Sequence, residues 1–263
     1  MLRRVEQCER NIEAEEIIVG MNKIIESSAE YFSKVSSSLK TVLTALSTGS
    51  VGKIIGKSKS NLFMKRLEEG KKVILVVQTG SLLTRRTAHI IGRVILSMLQ
   101  SFIGRKYASG AKLKEPLCIY MDEFSNVAYM NIEDLFSKAG GANVYCHAFT
   151  QSIADLNDAI GPAKARKILD NTNLKLFMRV NDPETAKYIA DYSGTIKTFS
   201  PILQTGGTIM IKEGQEAAIM MEDVMHLHEQ DFFFFTFNGG FKGRSLTVKP
   251  PYLNVKYPEL EVC

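Results

Sequence analysis

Apolar residues along this chain fall into two rhythms, and the change between them comes near residue 60. From 1 to 48, Ile12, Ile17, Ile18, Met21, Ile24 and Ile25 recur near the helical period with few breakers between them, which predicts a largely helical segment. The Gly/Ser/Lys-rich stretch from Ser47 to Ser60 reads as a linker, because such residues punctuate regular structure. Beyond it, short apolar runs alternate with amphipathic ones. Strands are expected at VILVVQ (73–78), LCIYM (117–121), VYCHAFT (144–150), LKLFMRV (174–180), EAAIMM (216–221) and FFFFTF (232–237), with helices between most of them. The best helix runs from about Arg85 to Tyr107. Ile91, Val94, Ile95, Met98, Leu99, Phe102 and Ile103 form its apolar stripe, and Arg86, Arg93 and Gln100 share the opposite face. Strands alternating with helices predict an α/β fold, a mostly parallel sheet with helices on both faces. The last two strands lack a convincing helix between them, so that edge is expected to be antiparallel.

A chain of 263 residues, 45% hydrophobic, can bury the core of one α/β domain plus an appendage. The net charge of +5 is unevenly spread: residues 31–115 hold sixteen Lys or Arg against Glu68, Glu69 and Glu115, and the remainder is net acidic. Such asymmetry suits a surface that meets nucleic acid or anionic lipid, and equally a solubilising lysine-rich face. Cys8, Cys118, Cys146 and Cys263 are scattered without C-x-x-C spacing, which fits a reducing compartment rather than a disulfide framework or zinc site. No run approaches a membrane span and the first residues lack the apolar core of a signal peptide. As written, the chain is expected to be cytoplasmic.

The most informative stretch is LCIYMDEF (117–124), an apolar run that ends in adjacent carboxylates, Asp122 and Glu123. This is the Walker B pattern of a P-loop ATPase. Ligands of open α/β sheets sit at the carboxyl ends of the strands. An aspartate there can hold Mg²⁺, which takes one or two carboxylates plus waters and phosphates; the next glutamate can orient or deprotonate the attacking water. The plainer reading is a strand end whose acids cap the next turn. A phosphate cradle needs G-x-x-x-x-G-K-[ST] between strand and helix. Its nearest match, Gly52-Lys53-Ile54-Ile55-Gly56-Lys57-Ser58, has one residue too few between the glycines and follows a helix-like stretch. The sequence thus offers hydrolytic carboxylates without the nucleotide cradle. His226 and His228 alternate, but no third metal ligand is evident. The run Phe232 to Phe235 is too short to span a membrane and reads as core.

Taken together, LCIYMDEFSNVAY (117–129), HAFTQSIADL (147–156) and NTNLKLFMRVNDPETAKYIADYSGT (171–195) resemble the conjugative coupling proteins of type IV secretion systems, the TraD/TraG group, over roughly residues 60–250. Members of that group look like hexameric, RecA-like, DNA-translocating ATPases anchored in the inner membrane, which hand a relaxase–DNA complex to the secretion channel. The resemblance implies ATP and Mg²⁺ as cofactors. Asp122 would hold the metal, Glu123 would activate water, Gln151 would sense the γ-phosphate, and Arg179 would reach a neighbouring subunit's nucleotide; the plainer readings are a turn or helix-cap residue for Gln151 and a structural pairing with Asp182 or Glu184 for Arg179. Implied partners are single-stranded DNA, relaxase or relaxosome proteins, channel components and, in the complete protein, five further copies of itself. The division implied is a helical segment (1–58) ending an inserted all-helical domain, the C-terminal part of a RecA-like motor (59–250), and a tail (251–263). The chain would be a C-terminal portion beginning after the cradle and the membrane helices, its parent at the cytoplasmic face of the inner membrane. It would carry the region named for recognising TraM. A non-catalytic docking module for relaxosome or secretion substrates is the alternative.

Overall fold

A computed structural model describes residues 12–26, 28–48, 61–78, 85–203 and 209–247. The chain divides into two compact units, residues 1–99 and 100–263.

In the first unit lie α1 (Ile12–Glu26), α2 (Ala29–Ser47), α3 (Leu62–Glu68) and the beginning of α4 (Arg85–Ala108). The helical rhythm read from the first 48 residues is present where they are described. Side-chain caps set the starts: Ser28 accepts from the Tyr31 N–H and Asn61 from the Met64 N–H, each satisfying one of the orphan donors of a first turn. The Gly52–Ser58 stretch lies outside the described residues. The strand expected at 73–78 is not formed; residues 71–78 belong to neither helix nor strand, with Ile74 and Val76 95% and 83% exposed. Apolar, β-branched composition fits a pleated, half-buried surface, and among the described residues this segment has no ladder partner to supply one.

α4 begins within one residue of its expected start and ends one residue late. In the second unit it is followed by β1 (Leu117–Met121), α5 (Phe124–Val127), α6 (Glu133–Lys138), a 3₁₀ turn (Ala139–Ala142) and β2 (Val144–Ala148). β1 and β2 pair in parallel, Leu117 opposite Val144 and Met121 opposite Ala148. Then come α7 (Ile153–Ile160), α8 (Pro162–Asn171), β3 (Lys175–Phe177), α9 (Pro183–Ser193), β4 (Thr195–Leu203), β5 (Ile209–Ala217), α10 (Met221–Met225), β6 (Asp231–Thr236) and β7 (Gly239–Arg244). β3, β6 and β7 form an antiparallel sheet in that order, and β4 and β5 form a separate antiparallel ribbon.

The α/β class is as expected, with parallel pairing confined to β1–β2 among the described residues. The strands expected at 216–221 and 232–237 do not form an antiparallel edge together: α10 lies between them, β5 pairs with β4, and β6 pairs with β3 and β7. Only the front of EAAIMM is strand, since β5 ends at Ala217 and α10 begins at Met221.

The phenylalanine run shows why the antiparallel sheet holds. Along β6, buried and half-buried positions alternate, as the two-residue period of a strand requires. Phe233 and Phe235 point into a cluster with Ile189, Val224 and Leu227, with Phe177 and Tyr188 packed against it. Glycine in β7 makes room for the neighbouring ring: a Cβ at Gly243 would stand 2.6 Å from the Phe232 ring. Buried Lys175 is satisfied by the Thr172 carbonyl and lies over the Tyr192 ring at 4.4 Å, a combination that offsets its desolvation.

The start of α9 joins two parts of this unit. Asp182 caps the helix by accepting from the Thr185 N–H at 2.9 Å and from the Thr185 hydroxyl at 2.5 Å. That hydroxyl in turn accepts from the buried Ile153 N–H at 2.9 Å. The Thr185 bonds hold the Asp182 carboxyl below its ordinary range. A carboxyl with a depressed folded-state pKa contributes stability above its unfolded-state pKa and loses it as pH falls through the folded value. Asp182→Ala is therefore expected to cost about 1 kcal/mol at neutral pH, with the difference from the parent chain disappearing below its ordinary carboxyl range. Urea unfolding at pH 7 and pH 3 measures it; an equal difference at both would show that the carboxylate charge plays no part.

Candidate functional site

The period-2 geometry of β1 turns Ile119 and Met121 inward and leaves Cys118 and Tyr120 exposed. The chain then leaves the sheet at Asp122 and Glu123, both exposed. Glu123 adopts left-handed backbone, φ 45° and ψ 50°. Outside glycine, asparagine and aspartate this region is seldom occupied, and residues so held concentrate at functional sites. Here the bend re-aims the glutamate relative to the strand. Asp122 Oδ1 accepts from the Glu123 N–H at 3.0 Å, and Asn126 Nδ2 donates to Glu123 Oε2 at 2.8 Å. The remaining oxygen of each carboxylate has no protein partner among the described residues. Glu123, at the N-cap of α5, makes no side-chain cap bond, whereas Asp122 takes a backbone N–H at the start of that turn.

The loops after β1 and β2 are stitched together. The Phe149 N–H donates to the Met121 carbonyl at 3.0 Å, and the Phe124 N–H donates to the Phe149 carbonyl at 2.8 Å. Gln151 therefore belongs to the same carboxyl end of the parallel pair as Asp122 and Glu123, and it is exposed. It does not cap α7: Ser152 does, accepting from the Asp155 N–H at 3.0 Å. Its amide is left for another task.

Arg179 lies two residues past the end of β3 and is exposed. The acids expected as its partners are engaged elsewhere, Asp182 in capping α9 and Glu184 in accepting from Asn157 Nδ2 at 3.0 Å. No hydrogen bond or ion pair joins Arg179 to Asp122, Glu123 or Gln151 among the described residues.

Sequence reasoning missed two contributors. Asn126, which holds Glu123, lies three residues on, a spacing that brings side chains together across one turn. Phe149 ties the loops through its backbone, and no side-chain pattern announces that.

No group of three or more His, Cys, Asp or Glu side chains able to hold a metal is present among the described residues. A site with one or two open carboxylates instead suits Mg²⁺ bound jointly with phosphate oxygens. His226 and His228 border an open cavity of about 500 Å³ with Glu222, Asp223 and Lys242, and Asp223 is occupied by the Met220 N–H. No described helix is long and apolar enough to cross a membrane.

Residues 116–226, which contain β1, β2, β3 and both stitched loops, match the family model described as the TraM recognition site of TraD and TraG. Over this region the chain is similar to the TraD/TraG conjugative coupling proteins. A probable conjugal transfer protein TraG of Sinorhizobium fredii (strain NBRC 101917 / NGR234) is 27% identical over 155 residues, which are 56% of this chain and 24% of the relative. The chain thus spans about a quarter of that TraG's length. Among solved structures, the unbound bacterial conjugative coupling protein TrwBdeltaN70 is 16% identical, with a TM-score of 0.47 over 60% of this chain and 36% of that one. TrwB in complex with ADP and Mg²⁺ is 17% identical, with a TM-score of 0.42 over 59% and 37%. The TraD/TraG region thus carries the Asp122–Glu123 end of β1 and the Gln151 loop, and Arg179 follows β3 within it.

Proposed function

We propose that this chain is the carboxylate-bearing part of a RecA-like motor in a conjugative coupling protein, whose complete form hydrolyses ATP to move single-stranded DNA from a relaxosome to a type IV secretion channel. The observation that carries the reading is the pair Asp122–Glu123 at the carboxyl end of the parallel strands, each with an oxygen free of partners among the described residues and with the Gln151 loop stitched alongside. Residues 1–58 fit the end of an inserted helical domain, 59–250 the motor and 251–263 a tail. The complete protein would work as a hexamer at the cytoplasmic face of the inner membrane.

In this reading Asp122, oriented through Oδ1, would hold Mg²⁺. Bound with ATP, the metal supplies neutralisation of phosphate charge. Glu123, fixed by Asn126, accepts the proton of the attacking water. Gln151 hydrogen-bonds the water or a phosphate oxygen, so that loss of the phosphate alters the loop shared with Phe149. Arg179, unpaired with Asp182 and Glu184, is placed to reach phosphate across a subunit boundary.

Phosphoryl transfer rests chiefly on positioning and charge stabilisation, so the test belongs in a complete coupling protein that contains this chain. Asp122→Ala is expected to weaken Mg²⁺-dependent nucleotide binding by about tenfold or more and to leave binding without metal unchanged. Unchanged Mg²⁺-dependent binding, read by fluorescence of a labelled nucleotide, would remove Asp122 from the role.

A further inference from the structure

Helices α7 and α9 start side by side, each directly after a short loop that carries a polar group. Residues 149–152, with Gln151, join β2 to α7, and residues 178–182, with Arg179, join β3 to α9. The first turn of a helix leaves N–H groups without partners inside the helix, and these two heads satisfy theirs jointly. Ser152 takes the Asp155 N–H at 3.0 Å, and Asp182 takes the Thr185 N–H at 2.9 Å. The Ile153 N–H is satisfied from the other helix: it donates to the Thr185 hydroxyl at 2.9 Å, which in turn donates to Asp182 Oδ2 at 2.5 Å. A second bond lies one turn further along α7, where Asn157 Nδ2 donates to Glu184 Oε1 at 3.0 Å.

Thr185 is thus used in both senses at once. A hydroxyl can accept from one partner while donating to another, and a valine of the same shape can do neither. Thr185 is 5% and Ile153 8% exposed, so an Ile153 N–H that lost this acceptor would be left buried and unsatisfied, which is costly. Among the described residues no hydrogen bond or ion pair joins Gln151 to Arg179 directly. The bonds through Thr185 and Asn157 therefore fix one loop against the other.

We propose that Thr185 is a positioning residue: it holds the Gln151 loop and the Arg179 loop at one offset, so that the amide facing this chain's own nucleotide and the guanidinium facing the neighbouring subunit's shift together. This rests on the roles proposed above for Gln151 and Arg179. Loss of the phosphate moves the Gln151 loop and with it the Ile153 N–H, two residues on. The Thr185 hydroxyl passes that movement to Asp182, three residues after Arg179. Hydrogen-bonded networks between rigid elements can carry coupling of this kind. Turnover at one nucleotide is thereby tied to charge stabilisation at the next.

The test measures ATP turnover against ATP concentration in a complete coupling protein that contains this chain, for Thr185→Val, Gln151→Ala, Arg179→Ala and the valine on each alanine background. Thr185→Val alone is expected to lower kcat about tenfold, within the range for a small misplacement of reacting groups, and to leave KM for ATP within about twofold. Thr185→Ser, which can make both bonds, is expected to keep the parent kcat. On either alanine background the valine is expected to lower kcat by less than about twofold further, because residues that act through one another are not additive. Valine turnover equal to the parent's, or a full further tenfold loss on both backgrounds, would overturn the proposal. Unchanged turnover in both alanine variants is a different result: it removes the roles on which the proposal rests, and the proposal with them. Folding is read separately in the 263-residue chain. Exchange of the Ile153 amide is expected to quicken about tenfold or more in Thr185→Val, while that of Asp155, held by Ser152, stays as in the parent. If both quicken together, Asn157→Leu at the second link carries the same turnover test, and additive loss there overturns the proposal in the same way.

Discussion

Glu123→Gln in a complete coupling protein is expected to lower DNA-stimulated ATP turnover by about a hundredfold or more, the range typical of losing a general base, and to abolish conjugative transfer. The substitution keeps the shape of the side chain, and an amide oxygen can still accept from Asn126 Nδ2, now 2.8 Å from Glu123 Oε2. What it removes is the capacity to take a proton. Nucleotide affinity should therefore hold while turnover falls, the signature of an interaction made in the transition state alone. Steady-state hydrolysis beside equilibrium nucleotide binding separates the two. If turnover is unaffected, Glu123 is not the base; if affinity falls in parallel, its task is to hold the nucleotide and not the water.

The largest stability effect is expected at Phe235. Its ring is buried, meets Phe177 edge-on at 5.9 Å and Tyr192 edge-on at 5.2 Å, and belongs to the cluster built on Ile189, Val224 and Leu227. Phe235→Ala removes the transfer energy of the ring and leaves a cavity that strands and helix can only partly close, costing about 3–5 kcal/mol. Phe234→Ala, one residue earlier and on the half-buried face, should cost about 1 kcal/mol, near the centre of ordinary substitutions. The pair forms a test of strand register, measured as the two shifts in urea midpoint. Equal shifts would mean that β6 does not alternate as described, since a slip of one residue exchanges its faces.

These two residues mark how far the sequence could be read. The position of Asp122 and Glu123 at the end of β1 was legible because an apolar strand ending in two carboxylates is a local pattern. Phe233 and Phe235 were legible as core, although four aromatic residues in a row cannot say which two face inward; the partners Ile189 and Val224, on other elements of the fold, decide that. The backbone bend at Glu123 was not legible, because glutamate gives no hint of left-handed conformation. The failed strand at Val73–Gln78 shows the opposite error. Five apolar residues specify a willingness to pair, and pairing needs a partner that composition does not name. β4 and β5 were largely missed for a related reason. Ile196, Phe199 and Ile202 recur every third residue, Pro201 interrupts them, and the ribbon is held by its register from Thr195↔Ala217 to Leu203↔Ile209 rather than by an alternating apolar face.

That ribbon has an implication for how such chains diversify. Thr195 and Ala217 are opposite one another, so the polypeptide leaves the compact unit and returns to it at one place. Most side chains along the ribbon are exposed, including Phe199, Ile202, Met210 and Ile211. Its length is therefore free to drift: residues can be gained or lost in cross-strand pairs without moving α9 or α10, and each added pair lengthens the projection by about 3.4 Å. A change of length here leaves the carboxylate end of β1 where it is.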